Sequence, residues 1–211
     1  MKIKNIFWDV DGVLANLNHA YYKFLTQHKN WREMFVDLKY KDLAKALPTN
    51  SEYAGLELSI HPLYGDAMNN DFITSEFFDD RPLYSGARDT ILQLHNMKIN
   101  QTTMSATGAG TRKINLLKKL IGDLPIDIKI TPHGDTKEEN MLKYMVENNW
   151  NPSETILVDD RPYNLRAAIR AGVKPIRFRS EFTTDTPKDL KVPEFYNYTD
   201  LIKYIKKENG L

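Results

Sequence analysis

The stretch "IKNIFWDVDGVLANL", residues 3–17, decides the fold. An apolar run of strand length, residues 3–10, closes on two aspartates around a valine, and then on Gly12. Like charges side by side repel, so an apolar strand does not normally end this way. Positions two apart in an extended chain point the same way, which lets Asp9 and Asp11 serve one site. Gly12 lets the backbone turn away without putting a side chain into that site.

Working outward, strand-like and helix-like runs alternate. Further strands are expected over residues 99–105, where "INQTTMS" is polar and β-branched, over 126–131, 155–158 and 175–179. Helical periodicity separates them over 87–97, 111–121 and 164–171, with Gly172 as a C-terminal stop. Asp135 with Glu138 reads as a capping box for a helix carrying Met141, Tyr144 and Met145 on one face. This alternation argues an α/β fold, an open parallel sheet with right-handed crossovers. The last segment, residues 199–210, reads as an amphipathic docking helix.

The first connection is different. Nearly seventy residues after Leu14 hold no convincing buried strand. Leu17, Tyr21, Phe24 and Leu25 are helical in spacing. Residues 31–47 are too, closed by Pro48, and Thr49 with Glu52 suggests another helix start. The division expected is a core of residues 1–15 and 81–211 with a helical insert, 16–80, above the sheet. Trp31, Phe35 and Tyr40 are read as the insert's own core.

Composition excludes several classes. The 211 residues carry 29 basic and 28 acidic side chains, a net +1, without a long basic run, which gives no case for a nucleic-acid polymer or a membrane surface as partner. The chain has no cysteine, so disulfides and thiolate metal sites are excluded, and a reducing cytoplasm suits it. The N-terminal residues show no apolar signal segment and no membrane span is expected.

In an open parallel sheet, ligands sit beyond the carboxyl ends of the strands. The expected strands end there in Asp9 and Asp11, in Ser105, and in Asp159 and Asp160, and Lys137 arrives in a loop. Carboxylates without histidine or cysteine suit a hard oxygen-seeking cation, most simply Mg²⁺. A carboxylate beside such a cation can attack phosphorus, and a second can protonate the leaving oxygen and later activate water. His61, His95 and His133 are scattered and are assigned no metal. Arg81, Arg112 and Arg161 are candidate phosphate or substrate contacts.

Four elements in order carry a family resemblance. "DVDGV" (9–13) resembles the first motif of the haloacid dehalogenase superfamily, "TTMSATG" (102–108) the second, Lys137 the third, and "ILVDDRPYN" (156–164) the fourth. "PLYSGARDTILQL" (82–94) and "NLRAAIRAGVKPI" (164–176) look like the segments that flank motifs two and four. The resemblance implies that Asp9 is nucleophile and metal ligand. It implies that Asp11 is the general acid/base, with its carbonyl also on the metal. Ser105, its neighbour Ala106 and Lys137 would hold the phosphoryl group. Asp160 would bind Mg²⁺ directly, and Asp159 directly or one step behind it. The insert matches a C1 cap. Glu138 stands where many members have proline, which leaves Lys129 and Lys113 as alternatives to Lys137. Asn164 stands where many have a second acid, and would serve the metal through its amide oxygen or a water.

The function expected is a Mg²⁺-dependent phosphatase acting on a small phosphate ester through an aspartyl-phosphate. A 5'(3')-deoxyribonucleotidase-like nucleotidase is an alternative, since "DDRP" (159–162) and "DVDGVLANL" (9–17) are near that family's motifs. So is a phosphomutase, and, outside enzymes, a metal-binding module that has lost turnover. Asp11 disfavours a dehalogenase, whose reaction has no leaving alkoxide to protonate. Asp-Gly is also a common turn, and each other site residue has an equally plain reading as a cap, a turn or an exposed charge.

Overall fold

The computed structural model describes residues 2–43, 49–50, 55–56, 65–106, 109–132, 135–180 and 182–211. Strand β1 (Asn5–Trp8) is followed by helix α1 (Leu17–Gln27). Two-residue strands β2 (Thr49–Asn50) and β3 (Gly55–Leu56) pair antiparallel, and helix α2 (Gly65–Thr74) comes next. Alternation then sets in with α3 (Ala87–Asn96), β4 (Asn100–Thr103), β5 (Ser105–Ala106), α4 (Thr111–Ile121), β6 (Ile130–Thr131) and α5 (Lys137–Glu147). It continues with β7 (Thr155–Asp159), α6 (Pro162–Arg170), β8 (Lys174–Phe178), β9 (Glu194–Phe195) and α7 (Tyr198–Glu208). Among the described residues, no helix is long and apolar enough to cross a membrane.

Five strands form one sheet in the order β4-β1-β7-β8-β9, every pair parallel. β1 lies inside it, and all four of its residues are buried. Side chains alternate between faces with the period of two that a strand imposes. Ile6, Trp8, Ile156 and Val158 pack with Ile91, Leu94, Leu117, Leu201 and Ile205 of α3, α4 and α7. Phe7 and Leu157 turn to the other face, against Met141, Tyr144 and Met145 of α5 and Ala167 and Ala168 of α6. Helices on both faces are what an all-parallel sheet requires. The expected open parallel α/β sheet is the one observed. Its carboxyl edge collects Asp9 after β1, Ser105 after β4, and Asp159 with Asp160 at the end of β7.

The polar strand β4 is held by its side chains. Gln101 accepts from Trp8 Nε1 at 3.1 Å and donates to Ile91 O at 2.9 Å. The Thr103 hydroxyl donates to Lys129 O at 2.7 Å and accepts from Lys129 N at 2.9 Å. At Lys129 that exchange stands in for the backbone bonds that Asp127 still makes with Gln101 and Thr103. It explains why the strand expected over 126–131 shrinks to Ile130–Thr131 plus a single bridge at Asp127.

Other expectations need correction. The helix expected over 31–47 is instead a run of turns from Trp31 to Asp37, followed by a 3-10 turn at Tyr40–Asp42; residues 44–48 lie outside those described. Amides of Trp31, Met34, Phe35 and Leu38 all bond three residues back. Trp31 and Phe35 are nonetheless buried, in a core with Tyr21, Phe24, Met68, Phe72 and Phe78. Thr49 begins β2 instead of a helix, and Glu52 lies outside the described residues. The capping box is Thr136 with Glu139, one residue later than expected. Glu138 is drawn off by Arg170 at 2.6 Å. α6 starts two residues early because Pro162 can take its first position.

Chain segments on either side of residues 16–80 run side by side. Asn16 N donates to Pro82 O, and Tyr84 N to Leu14 O, both at 2.9 Å.

Candidate active site

Asp9 leaves β1 with its amide on Val158 O at 2.9 Å, so the turn that follows is tied to β7. The residue is 5 % exposed. Lys137, the first residue of α5, places Nζ 2.7 Å from Asp9 Oδ1 and 2.5 Å from Asp159 Oδ2. Lys137 is buried beside Asp9, whereas Lys129 is exposed and Lys113 pairs with Asp11. The one-residue shift of the cap matters here, because it makes Lys137 the first helical residue.

Asp159 and Asp160 end β7 side by side but have opposite surroundings. Asp159 accepts from Lys137 Nζ, from Arg161 N at 2.9 Å, and from Asn164 Nδ2 at 3.0 Å on each oxygen. Asn164 thus orients Asp159. Asp160 is 8 % exposed, and its Oδ1 has no hydrogen-bond partner. Its carbonyl accepts from the fully buried Arg177 at 3.2 Å, a contact unseen in the sequence beyond a strand reading of residues 175–179. Asp9, Asp159 and Asp160 each offer an oxygen within 4.8 Å of the others.

Gly12 makes that cluster possible. Its φ is +82°, and a Cβ there would lie 2.4 Å from Asp160 Oδ2. Gly12→Ala is therefore expected to cost about 1–2 kcal/mol in backbone strain alone. It should also push Asp160 aside. Thermal unfolding of the variant without added metal measures the sum.

Asp11 sits two residues beyond Asp9, as expected, yet its partners are different. Arg81 Nη1 donates to Oδ1 at 2.5 Å, and Lys113 Nζ donates to Oδ2. Burial opposes its charge, but the Arg81 and Lys113 cations win and hold its carboxyl well below the ordinary carboxylate range. Burial pulls the Lys113 ammonium down to about 8, against the attraction of Asp11. Burial pushes Asp9 up to about 6, with Asp159 and Asp11 adding to it and Lys137 opposing. Asp160 is raised by burial and then by Asp159 and Asp9. Burial works against the Lys137 charge, but Asp159 and Asp9 raise it above an ordinary lysine.

A cavity of about 50 Å³ is lined by Asp9, Asp11, Ser105, Lys137, Arg161, Tyr163 and Asn164. Ser105 is buried, and the backbones of Ser105 and Ala106 pair with Ile130 and Thr131. Arg161 reaches this cavity; Arg81 and Arg112 do not line it. Arg112 instead binds the Asp79 carboxylate and backbone oxygens of Ile73 and Ser75. His95 is exposed, and His61 and His133 lie outside the described residues.

The family model described as haloacid dehalogenase-like hydrolase matches residues 3–172. The chain belongs to this family. No curated protein sequence matches the chain. Among solved structures, this haloacid dehalogenase-like hydrolase is similar to a predicted phosphatase from Clostridium acetobutylicum, at 16% identity and TM-score 0.70, covering 98% of this chain and 100% of that one. It is similar to a HAD family hydrolase from Deinococcus radiodurans R1 with bound phosphate and sodium, at 13% identity and TM-score 0.66, covering 99% and 97%. The HAD-hydrolase YfnB from Bacillus subtilis, bound to magnesium, is similar at 14% identity and TM-score 0.64, covering 97% and 99%. At these identities the likeness carries the fold, and the family match carries the class, a hydrolase.

Proposed function

We propose that this hydrolase is a Mg²⁺-dependent phosphatase that passes the phosphoryl group of a small monoester first to Asp9 and then to water. The observation that carries the reading is that Asp160, with a buried carboxylate oxygen that has no partner, offers an oxygen within 4.8 Å of one from the buried Asp9. Buried polar atoms are normally satisfied, so an orphaned one asks for a ligand. The donor set is all oxygen, which fits Mg²⁺. Asp9, Asp160 and the Asp11 carbonyl would hold it. Asp159, with its hydrogen bonds already filled, would orient the others. When bound, the cation supplies positive charge to the phosphoryl oxygens and to the gathered carboxylates.

The remaining chemistry belongs to the chain. An Asp9 oxygen attacks phosphorus, and the bond from phosphorus to the ester oxygen breaks. Asp11, which Arg81 and Lys113 hold ionised here, takes a proton from the water that attacks the aspartyl-phosphate and frees Asp9. To give a proton to the ester oxygen it must first take one up and be released by at least one of those cations. Ser105, the Ala106 backbone and Lys137 hold the transferring group. Residues 16–80 would form the cap, and its return beside its own start suits a unit that moves on one hinge. Selection among esters would fall to aromatic and polar residues of that insert such as Tyr53, His61 and Tyr64, which lie outside the described residues.

The test is phosphate release from p-nitrophenyl phosphate, whose leaving group departs without help from an acid. Release that depends on Mg²⁺ and stops with a chelator is expected. No release there, nor from a panel of nucleoside monophosphates, sugar phosphates and phosphoglycolate, would overturn the reading.

Stability should report the same site. Asp9 is raised from 3.8 to about 6, so between those values the metal-free fold binds more protons than the unfolded chain. Its contribution to stability therefore falls as pH rises through that window. Mg²⁺ needs ionised ligands, so the rise in melting temperature it produces should grow over the same window. Melting curves at pH 5 and 7, with and without MgCl₂, decide this; an equal Mg²⁺ effect at both would count against it.

A further inference from the structure

Asp11 is gripped from behind. Arg81 takes one carboxylate oxygen and Lys113 the other, both cations are buried, and neither lines the cavity that Asp11 faces. One cation is enough to neutralise one carboxylate. Two cations, one on each oxygen, also fix the plane of the group. Lys113 moreover stands in the first turn of α4, where the helix dipole disfavours a positive charge. A buried lysine at the wrong end of a helix needs a reason beyond folding.

Both cations lead to the same piece of chain. The Arg81 guanidinium lies over the Phe78 ring at 4.0 Å and over Phe72 at 5.6 Å, and its buried Nε makes no hydrogen bond. Arg112, the neighbour of Lys113, lies over the same Phe78 ring at 5.0 Å. Its Nη2 also holds the Asp79 carboxylate at 2.6 Å and Ser75 O at 2.5 Å. Segment 72–79 is thus joined to Asp11 by two routes, Phe78 to Arg81 and Arg112 to Lys113.

We propose that Arg81 and Lys113 are positioning residues for Asp11, a two-point clamp that sets its carboxylate against Asp9 and ties it to segment 72–79. They touch Asp11 and not the substrate. The kinetic consequence rests on the phosphatase reading; the position of Asp11 does not.

Because p-nitrophenolate leaves without an acid, rates on p-nitrophenyl phosphate at saturating Mg²⁺ read the attack of water on the aspartyl-phosphate that Asp11 assists, and they test the clamp in Lys113→Met, Lys113→Arg, Asp11→Asn and the Lys113→Met/Asp11→Asn double variant. A displacement of about 1 Å can cost about 100-fold, so kcat of Lys113→Met should fall by about that factor with KM little changed. Lys113→Arg, which keeps a donor on Oδ2, should recover much of the loss. In the Asp11→Asn background Lys113→Met should cost almost nothing more, because the two act as one unit. The same loss in both backgrounds, or a raised KM with kcat intact, overturns the clamp. Arg81→Lys keeps the charge and loses the planar fork, and should show a smaller loss of the same kind. A wild-type protein that releases no phosphate refutes the phosphatase reading alone. Crystal structures of wild type and Lys113→Met then decide the clamp: a displaced Asp11 carboxylate supports it, an unmoved one overturns it.

Discussion

Asp9→Asn should fold, melt no lower than the wild type without metal, and lose turnover by on the order of 10⁴-fold or more. The activity loss follows because an amide neither attacks phosphorus usefully nor binds a hard cation well. The stability follows from the charges. Asp9 is buried within reach of Asp159 and Asp160, and that burial disfavours its ionised form, pushing its carboxyl up to about 6. Replacing it by a neutral group of the same shape removes that penalty, and the amide oxygen still accepts from Lys137. Opposite movements of activity and melting temperature separate a chemical role from a structural one. Paired measurements of phosphate release and of metal-free melting check both. A folded variant with substantial turnover would sink the covalent route.

What the sequence made legible was the edge of the sheet. A buried strand ending in two carboxylates is costly, so it announces a site, and the same holds for the paired aspartates ending β7. Ser105 and Lys137 were reachable because parallel topology sends every strand end and every following loop to one edge. Partners that depend on side-chain reach were less legible. Lys113 is about a hundred residues from Asp11 and seventy separate Arg81 from it, and no local pattern links them. Asn164 was read only for its amide oxygen, and nothing in the sequence pointed to its amide nitrogen as the donor to both oxygens of Asp159. Local competition misled elsewhere. Asp135 and Thr136 can each cap a helix, and Glu138 was withdrawn by Arg170, a contact with α6. Helical spacing at Trp31 and Phe35 described a buried face correctly and the backbone wrongly, since three-residue turns repeat closely enough to a helix to bury the same side chains.

Lys137→Met is the second large effect, and its sign depends on pH and on metal. Lys137 Nζ is the buried cation between Asp9 and Asp159, and Asp160 lies in the same cluster. A methionine fills the space of the stem and brings no charge. Removing one partner from a buried ion pair costs about 3–5 kcal/mol, because the other is left uncompensated. Asp159 keeps Asn164 and the Arg161 amide, so the burden falls on Asp9. At pH 5 a carboxyl can take up a proton, and the loss should be small. At pH 7.5 it cannot do so cheaply, and the metal-free variant should melt well below the wild type. Mg²⁺ brings its own charge to the same carboxylates, so it should restore more stability to the variant than it adds to the wild type. Turnover should still fall about 10²–10³-fold at saturating Mg²⁺, because one donor to the transferring group is gone. Melting curves at both pH values, each with and without MgCl₂, test the electrostatic account. A variant that melts with the wild type at pH 7.5 without metal would mean that the carboxylates are neutralised some other way, and that Lys137 is not what holds them together.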